Sequence, residues 1–297
     1  MLYDGPIIDA HHHFWDLDLG KHPWLMAGAA GDENEPLRRN VLPEDYVTLA
    51  RGTNIVASVH VEANWDPVDP VGETEWLDVL DRPAGIVARY VAYAPLLEDR
   101  AADILERQAA HERVVGIREI LSWHPDPAKR RMPDNGRFAS EAWRSNLARL
   151  GRHGFSFDLL VSPWQLGDVR RLADDFPDLS FILNHCGSPM DRDTEGMRRW
   201  RDGLQSVAKA ANISIKISDP VAYDPNWTFD SLADVMLPAI DTFSPARAMF
   251  ASDHPVAGLH IGFGEWVEVF RRVTARYSAD EQRAIFHDNA VTRYRMA

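Results

Sequence analysis

The feature that most constrains the fold is the regular alternation of strand-like and helix-like segments along the chain. Eight short runs rich in apolar and β-branched residues alternate with longer segments of helical periodicity. The predicted strands cover residues 7–13, 54–62, 85–94, 114–121, 156–163, 180–187, 213–219 and 247–255. The predicted helices cover residues 43–52, 72–81, 98–112, 138–153, 165–175, 195–211, 229–242, 264–277 and 279–295. Strands that alternate with helices pair in parallel through right-handed crossovers, so the pattern indicates an α/β protein.

Eight strand–helix units in 297 residues predict one domain, a (β/α)8 or TIM barrel that spans residues 1–297. The alternative is an open doubly wound sheet, which usually carries a glycine-rich turn after its first strand. Here the first strand, IIDAHHH at residues 7–13, ends in three histidines instead. We therefore expect a barrel whose active site lies at the carboxyl ends of its strands.

Two loops are longer than the strand–helix repeat needs. Residues 16–42 follow the first predicted strand, and residues 122–137 follow the fourth. Both would lie on the face of a barrel where catalytic residues are found. Because long loops in a compact domain are usually functional, both are expected to border the active site.

Ionisable side chains gather at the carboxyl ends of strands that are otherwise apolar. Side chains alternate along a strand, so His11 and His13 share a face and His12 points away. The other residues of this kind are His60, Glu62, Arg118, Glu119, His185, Lys216, Asp219, Asp253 and His254. Burial of such groups is unfavourable unless they are paired or bound to a metal, so we expect a polar pocket at the barrel mouth.

Four segments carry a resemblance to a known family: IIDAHHHFWD, FILNHCGSP, IKIS and FASDHPV. In this order they resemble the amidohydrolase superfamily, and within it the branch of sugar-acid lactonases and 2-pyrone-4,6-dicarboxylate lactonases. The resemblance covers nearly the whole chain, from the first strand to the eighth. It implies a barrel enzyme that hydrolyses a cyclic ester.

The resemblance also implies a metal-binding set, His11, His13, His185 and Asp253. Binuclear relatives place a Lys after strand 4 and a His after strand 5, whereas this chain reads GIREIL and FDLLVSP there. We therefore expect one divalent ion at most, Zn²⁺ or Mn²⁺, with an open position for water. In the lactonase branch the metal is often weakly held or dispensable. His254 stands where the family usually shows Trp, which leaves the substrate open.

Lactone hydrolysis needs a base for water, stabilisation of the oxyanion and an acid for the leaving oxygen. Asp253 is the expected base and later the acid, and His11, His13 and His185 are expected to stabilise the oxyanion, directly or through one metal. Arg118 is the expected partner of a substrate carboxylate or hydroxyl. Further expected substrate contacts are Glu62, His60, His124, Lys216, Trp15, Trp24 and His254. A sugar-acid lactone is preferred because an aromatic dicarboxylate needs more cations than Arg118 and Lys216.

The amino-acid composition restricts the classes of molecule that the protein can be expected to bind. The net charge of −13 argues against nucleic-acid binding, because a phosphate backbone needs a basic face. No apolar run approaches the ~20 residues that span a bilayer. The single cysteine allows no disulfide within the chain, and the first residues lack the pattern of a signal peptide. We therefore expect a cytoplasmic enzyme with a small-molecule substrate, and the sequence leaves open whether it forms a homo-oligomer.

Two other functions remain open from the sequence. One is a metal-dependent decarboxylase of the same superfamily, although such relatives tend to replace the second histidine of strand 1, and His13 is present here. The other is a non-catalytic sugar-binding barrel, against which the intact Asp253 argues.

Overall fold

A computed structural model of the chain describes residues 1–26 and 32–296. Its centre is a parallel sheet of eight strands, each paired with the next strand in the sequence. The strands are β1 (Ile7–His12), β2 (Ile55–Val61), β3 (Arg89–Tyr93), β4 (Val114–Ile120), β5 (Ser156–Leu160), β6 (Phe181–Leu183), β7 (Ile213–Ile217) and β8 (Ala248–Phe250). A bridge between His12 and His254 brings β1 against the segment after β8, so the sheet curls into a nearly closed (β/α)8 barrel. The predicted fold is confirmed.

Helices surround this barrel at nearly the predicted positions. They are α1 (Pro23–Met26), α2 (Pro43–Ala50), α3 (Gly72–Val79), α4 (Ala101–Ala109), α5 (Glu141–His153), α6 (Leu166–Asp175), α7 (Thr194–Val207), α8 (Phe229–Phe243), α9 (Phe263–Thr274), α10 (Ala279–Arg283) and α11 (Asn289–Arg293). The predicted helix at 279–295 is divided, because Ala284–Asp288 between α10 and α11 is π-helical. Residues 27–31 of the predicted loop 16–42, and residue 297 of the predicted domain, lie outside the described residues.

All eight strands are shorter than predicted, and three of them, β3, β6 and β8, are shorter by five or six residues for a backbone reason. The predicted strand at 85–94 is extended only from Arg89, since Gly85 and Val87 have φ values of +88° and +52°. The predicted strands at 180–187 and 247–255 end early because His185 and Asp253 have φ values of +48° and +53°. Positive φ values are incompatible with a strand, so the chain turns at these residues.

The buried apolar residues form two clusters that hold the strands and helices of the barrel together. The larger cluster lies between strands and helices and includes Trp143, Phe157 and Phe270. A smaller one includes Ile8, Val59, Val91, Ile182 and Met249 from five strands, together with Tyr294 and Met296 from the C-terminal segment. Within the described ranges, no helix combines the length and hydropathy needed to cross a bilayer.

Candidate active site

A cavity of about 680 Å³ opens at the carboxyl ends of the strands. Of the residues predicted from the sequence, the structure places six in its wall: His13, Trp15, Trp24, Arg118, His185 and Asp253. The wall also contains parts of both long loops, including Asn34 and Lys129. The cavity is of the size that small-molecule ligands occupy.

The end of β1 supplies two of the central imidazoles. The Nε2 atoms of His11 and His13 lie 3.2 Å apart. His12 points the other way, and its Nε2 atom lies 2.9 Å from Oγ of Ser58. The register of β1 against β2 shifts between Asp9 and His12, so strict alternation breaks before the histidines. The divergence of His12 from His11 and His13 nevertheless agrees with the sequence-based expectation.

The remaining groups project from residues with a left-handed backbone directly after β6, β7 and β8. His185, Asp219 and Asp253 have φ values of +48°, +46° and +53°. Non-glycine residues in this region are strained and cluster at functional sites. The amide of Asp253 donates to the carbonyl of His11 at 2.8 Å, so the last loop is tied to the first strand.

The carboxylate of Asp253 lies at the centre of the imidazoles. Its Oδ1 atom is 3.3 Å from Nε2 of His11, 3.3 Å from Nε2 of His13 and 3.9 Å from Nε2 of His185. Burial alone would raise the pKa of Asp253, but the His185 and His13 imidazoles and a hydrogen bond from Asp219 lower it to about 2. Asp253 is therefore an anion at neutral pH.

Two of the imidazoles are kept neutral by their surroundings. Burial, and next the positive charge of Lys216, lower the pKa of His11 well below its ordinary value. Burial lowers the pKa of His185 to about 4 in spite of the opposing effect of Asp253. Neutral imidazoles can each donate one proton and offer one bare nitrogen, which suits both hydrogen bonding and metal binding.

Asp219 is a wall residue that the sequence analysis placed among the ionisable groups at the strand ends without giving it a catalytic or binding role. Its carboxyl group is hydrogen-bonded to that of Asp253. Burial, and next the charge of Asp253, raise the pKa of Asp219 well above its ordinary value, so Asp219 holds the shared proton. Its place directly after the strand ISIKI is the sequence signal that could have identified it.

Arg118 reaches the cavity from β4 and is held by Glu62. Its Nε atom donates to Oε1 of Glu62 at 2.6 Å, and a terminal nitrogen donates to the Glu62 carbonyl. Both side chains are buried. Glu119, the next residue of β4, instead accepts hydrogen bonds from Trp143 and Arg137.

Five residues expected to contact substrate are not among the residues that line this cavity: Glu62, His60, His124, Lys216 and His254. Glu62 pairs with Arg118, and His60 accepts from the amide of Phe14. His124 binds Asp191 at 2.9 Å, which joins the two loops after β4 and β6. Each of these side chains is engaged by a protein partner instead of facing the cavity.

The remaining two of these five residues, Lys216 and His254, lie in different parts of the barrel. Lys216 is fully buried, with its Nζ atom 2.6 Å from Oδ2 of Asp158. His254 borders a second cavity of about 300 Å³, with Arg39 and Phe263. Neither side chain lines the cavity of the central imidazoles.

Aromatic and aliphatic side chains form the rest of the wall. Trp15 and Trp24 pack edge to face at 5.7 Å, and Nε1 of Trp24 donates to the Ala63 carbonyl. Ile120 and Leu160, at the ends of β4 and β5, also line the cavity. Neither of these two apolar side chains could ligate a second metal.

The central groups fit one divalent cation. The ligand atoms of His11, His185 and Asp253 all lie within 4.8 Å of one another. Nε2 of His13 lies beside this set, 3.2 Å from Nε2 of His11 and 3.3 Å from Oδ1 of Asp253, and it is bare because Nδ1–H donates to the Val61 carbonyl at 2.7 Å. The Asp253 Oδ1 atom is buried without a hydrogen bond among the described residues. Nitrogen and oxygen donors in this number suit a catalytic zinc or manganese ion.

A family model described as amidohydrolase matches residues 8–296. The chain belongs to this amidohydrolase family. An uncharacterized protein of Sinorhizobium fredii, y4mH, is 34% identical over 99% of this chain and 100% of its own length. The L-fucono-1,5-lactonase of Burkholderia multivorans is 28% identical over 97% of this chain and 95% of its own length.

Solved structures agree with this assignment. An amidohydrolase from Burkholderia multivorans, 25% identical, covers 98% of this chain and 99% of its own. The TM-score is 0.83 for the crystal form with bound HEPES and 0.81 for the form with bound Zn. The Zn-bound relative and the His–His–Asp cluster of this amidohydrolase together suggest a site for a divalent metal.

Proposed function

We propose that this amidohydrolase opens a cyclic ester, with a sugar-acid lactone as the substrate class. The observation that carries the proposal is that Oδ1 of Asp253, a residue of the cavity wall, lies among the Nε2 atoms of His11, His13 and His185. A carboxylate beside three imidazoles offers a base and oxyanion donors around one point, as ester hydrolysis requires.

In the proposed reaction Asp253 removes a proton from a water molecule, and the resulting hydroxide adds to the lactone carbonyl. The tetrahedral intermediate then collapses with cleavage of the bond between the carbonyl carbon and the ring oxygen. Asp253 returns its proton to that ring oxygen, which leaves as a hydroxyl group on the same product. A positioned carboxylate contributes roughly 10²–10⁴-fold to such a step.

The oxyanion forms beside the three imidazoles. Each donor aimed at the developing charge contributes about 3–4 kcal/mol in sites of this kind. His11, His13, His185 and Asp253 would hold a divalent metal, which would polarise the carbonyl and lower the pKa of a bound water. Arg118, fixed by Glu62, is proposed to orient a carboxylate or hydroxyl of the substrate.

Three features of the wall support a sugar-acid lactone. Trp24, which packs on the buried Trp15, presents aromatic surface suited to a sugar ring, and Lys129 and Arg131 add cations at the mouth. The relative from Burkholderia multivorans is named L-fucono-1,5-lactonase, and L-fucono-1,5-lactone is a lactone of this class. Sugar-acid lactones place the proposed activity in carbohydrate metabolism. The lone Cys186, buried and free, supports a cytoplasmic enzyme.

A panel of sugar-acid lactones, monitored by proton release in weak buffer, tests this proposal. A pH drop without CO₂ is expected, because ring opening yields a carboxylic acid. CO₂ release from a hydroxybenzoate would instead support the decarboxylase. Binding of sugars without turnover of any lactone would support the non-catalytic barrel.

A further inference from the structure

The loop after β4 contains three consecutive cations with different surroundings, Lys129, Arg130 and Arg131. Nζ of Lys129 lies 2.6 Å from Oδ1 of Asp191. Arg130 donates to the Pro125 carbonyl at 2.8 Å, within its own loop. Within the described part of the chain, the Arg131 guanidinium forms neither an ion pair nor a hydrogen bond, although Arg131 lines the cavity. Arg131 is therefore the cation of this run that is available to a ligand.

The backbone at Arg131 is tied to the end of β4. The amides of Arg131 and Met132 both donate to the Ser122 carbonyl, at 2.9 Å and 3.0 Å. Ser122 is buried and lines the same cavity. The loop therefore returns to the strand from which it starts, and these two hydrogen bonds fix the place of Arg131 in the cavity wall.

Arg131 lies near the same tyrosine as the two carboxyl groups of the reaction centre. Burial raises the pKa of the Tyr223 hydroxyl, the charges of Asp219 and Asp253 raise this pKa further, and the charge of Arg131 lowers it. Tyr223 lines the cavity together with all three residues. Glu33 is the other carboxylate of the wall, and it forms no ion pair with Arg131. A substrate at the reaction centre thus lies in one cavity with an unpaired guanidinium.

Asp191 joins the loop after β4 to other segments at the mouth of the barrel. Its carboxylate accepts from Nε2 of His124 at 2.9 Å and from Nζ of Lys129 at 2.6 Å, both in that loop. It also accepts from Nε1 of Trp164 at 3.2 Å, in the segment after β5. Arg199 of α7 lies 3.5 Å from the same carboxylate and stacks on the Trp164 ring. Four segments therefore meet at one side chain.

The charge and the position of Asp191 are both set by its surroundings. Burial raises the pKa of Asp191, but hydrogen bonds from Lys129 and then His124 lower it to about 2, so the group is an anion at neutral pH. A Cβ atom on Gly196 would lie 2.3 Å from the Asp191 carbonyl oxygen. The glycine therefore allows the first turn of α7 to pack directly against Asp191.

We propose that Asp191 is a positioning residue that holds the loop after β4 against the barrel and so places Arg131 to contact the substrate. Asp191 is not among the residues that line the cavity, whereas Arg131 is. A guanidinium on a preformed loop can bind a substrate hydroxyl or carboxylate with little further loss of conformational entropy. The proposal rests on the proposed function in taking this cavity as the substrate site.

Hydrogen exchange of the full chain, measured by mass spectrometry, tests the attachment of the loop without a substrate. Asp191→Ala is expected to speed exchange in residues 122–137 by about 10-fold or more, because charge-assisted hydrogen bonds hold this loop. Asp191→Asn keeps the shape of the side chain and should cause a smaller increase, which decides the question if the alanine variant does not fold. Asp178→Ala, at an exposed aspartate, should exchange as the unaltered chain. Unchanged exchange in the Asp191 variants would overturn the proposal.

Initial rates with L-fucono-1,5-lactone as the probe test the contact from Arg131. Arg131→Gln is expected to raise KM about 10- to 100-fold with kcat nearly unchanged, because it removes a charged contact away from the reacting bond. Arg152→Gln, at an exposed arginine, should leave KM unchanged. A fall in kcat without a change in KM for Arg131→Gln would overturn the proposal.

A double-mutant cycle shows whether Asp191 acts through Arg131. Asp191→Ala should raise KM by about 10-fold in the unaltered chain, but by less than about twofold in the Arg131→Gln background. Equal effects in the two backgrounds would overturn the proposal. The same cycle in the Kd of L-fuconate, the acid that the probe lactone yields, needs no turnover. The proposed function can therefore fail separately, through absent turnover in a chain that shows the expected exchange and binding.

Discussion

The Oδ1 atom of Asp253 lies 3.3 Å from the Nε2 atom of His11. Asp253 follows the last strand, whereas His11 lies near the end of the first strand. Closure of the barrel brings the two residues together, and a hydrogen bond from the amide of Asp253 to the His11 carbonyl holds their backbones in contact. Asp9 reinforces this junction, because its carboxylate accepts from the amide of Ser252 and the hydroxyl of Tyr46.

Asp253→Asn is expected to fold normally and to lose at least about 100-fold in kcat, because the amide cannot accept the proton of water. Proton release from a lactone measures the rate, and thermal unfolding checks the fold. Asp178→Asn, at an exposed aspartate, is the matched control. Near-normal turnover by the Asp253 variant would contradict the proposed base.

His12→Asn is expected to reduce turnover less than His11→Asn or His13→Asn. His12 faces Ser58 and the ring of Tyr46, away from Asp253. Its loss should therefore appear mainly as a lower free energy of unfolding, about 1–3 kcal/mol for a buried polar group left unpaired. Kinetics and urea unfolding of the three variants separate the effects, and equal kinetic losses would argue against this orientation.

Arg118→Lys is expected to lower kcat/KM by about 10- to 100-fold, because lysine cannot reproduce the planar fork that Glu62 orients. Glu62→Gln should have a smaller effect of the same kind, since the amide oxygen still accepts from Arg118. Initial rates over a range of lactone concentrations measure both variants. An unchanged KM and kcat in Arg118→Lys would exclude a role in substrate binding.

Removal of divalent metal by a chelator is expected to leave more than about a tenth of the turnover, because the imidazole and Arg118 donors remain in place. Elemental analysis of the same samples confirms the removal. A loss of about 10³-fold that ZnCl₂ restores would show instead that the metal is essential.

Stability at mildly acidic pH should depend on His22. Its ring is buried against Trp65, and burial lowers its pKa to about 4. The unfolded chain takes up this proton near pH 6.5, so stability is complete above that value and is lost as the pH falls towards 4.

Urea unfolding at pH 7 and pH 4.5 tests this expectation. Between these values the unaltered chain should lose up to about 3 kcal/mol more than His22→Leu, which cannot bind the proton. His260→Leu, at an exposed histidine, should behave as the unaltered chain. Identical pH dependence in all three proteins would show that His22 is protonated in the folded state.

The sequence by itself determined the barrel and the elements that carry the site. Eight alternating units allow few other topologies, and the carboxyl ends of parallel strands meet at one face, so His13, His185 and Asp253 were expected to converge. The divergence of His12 from its neighbours likewise followed from the alternation of side chains.

Only the tertiary structure decided which buried polar residues reach the cavity. Strands of a barrel are covered on both faces, and the stagger between strands sets how far each residue lies below the mouth of the barrel. A polar residue near a strand end can therefore face the cavity, the barrel interior or a helix. Lys216 lies below the site with Asp158, whereas Asp219 turns into the cavity through a left-handed backbone. Such depths depend on contacts between strands far apart in the chain, which local patterns do not encode.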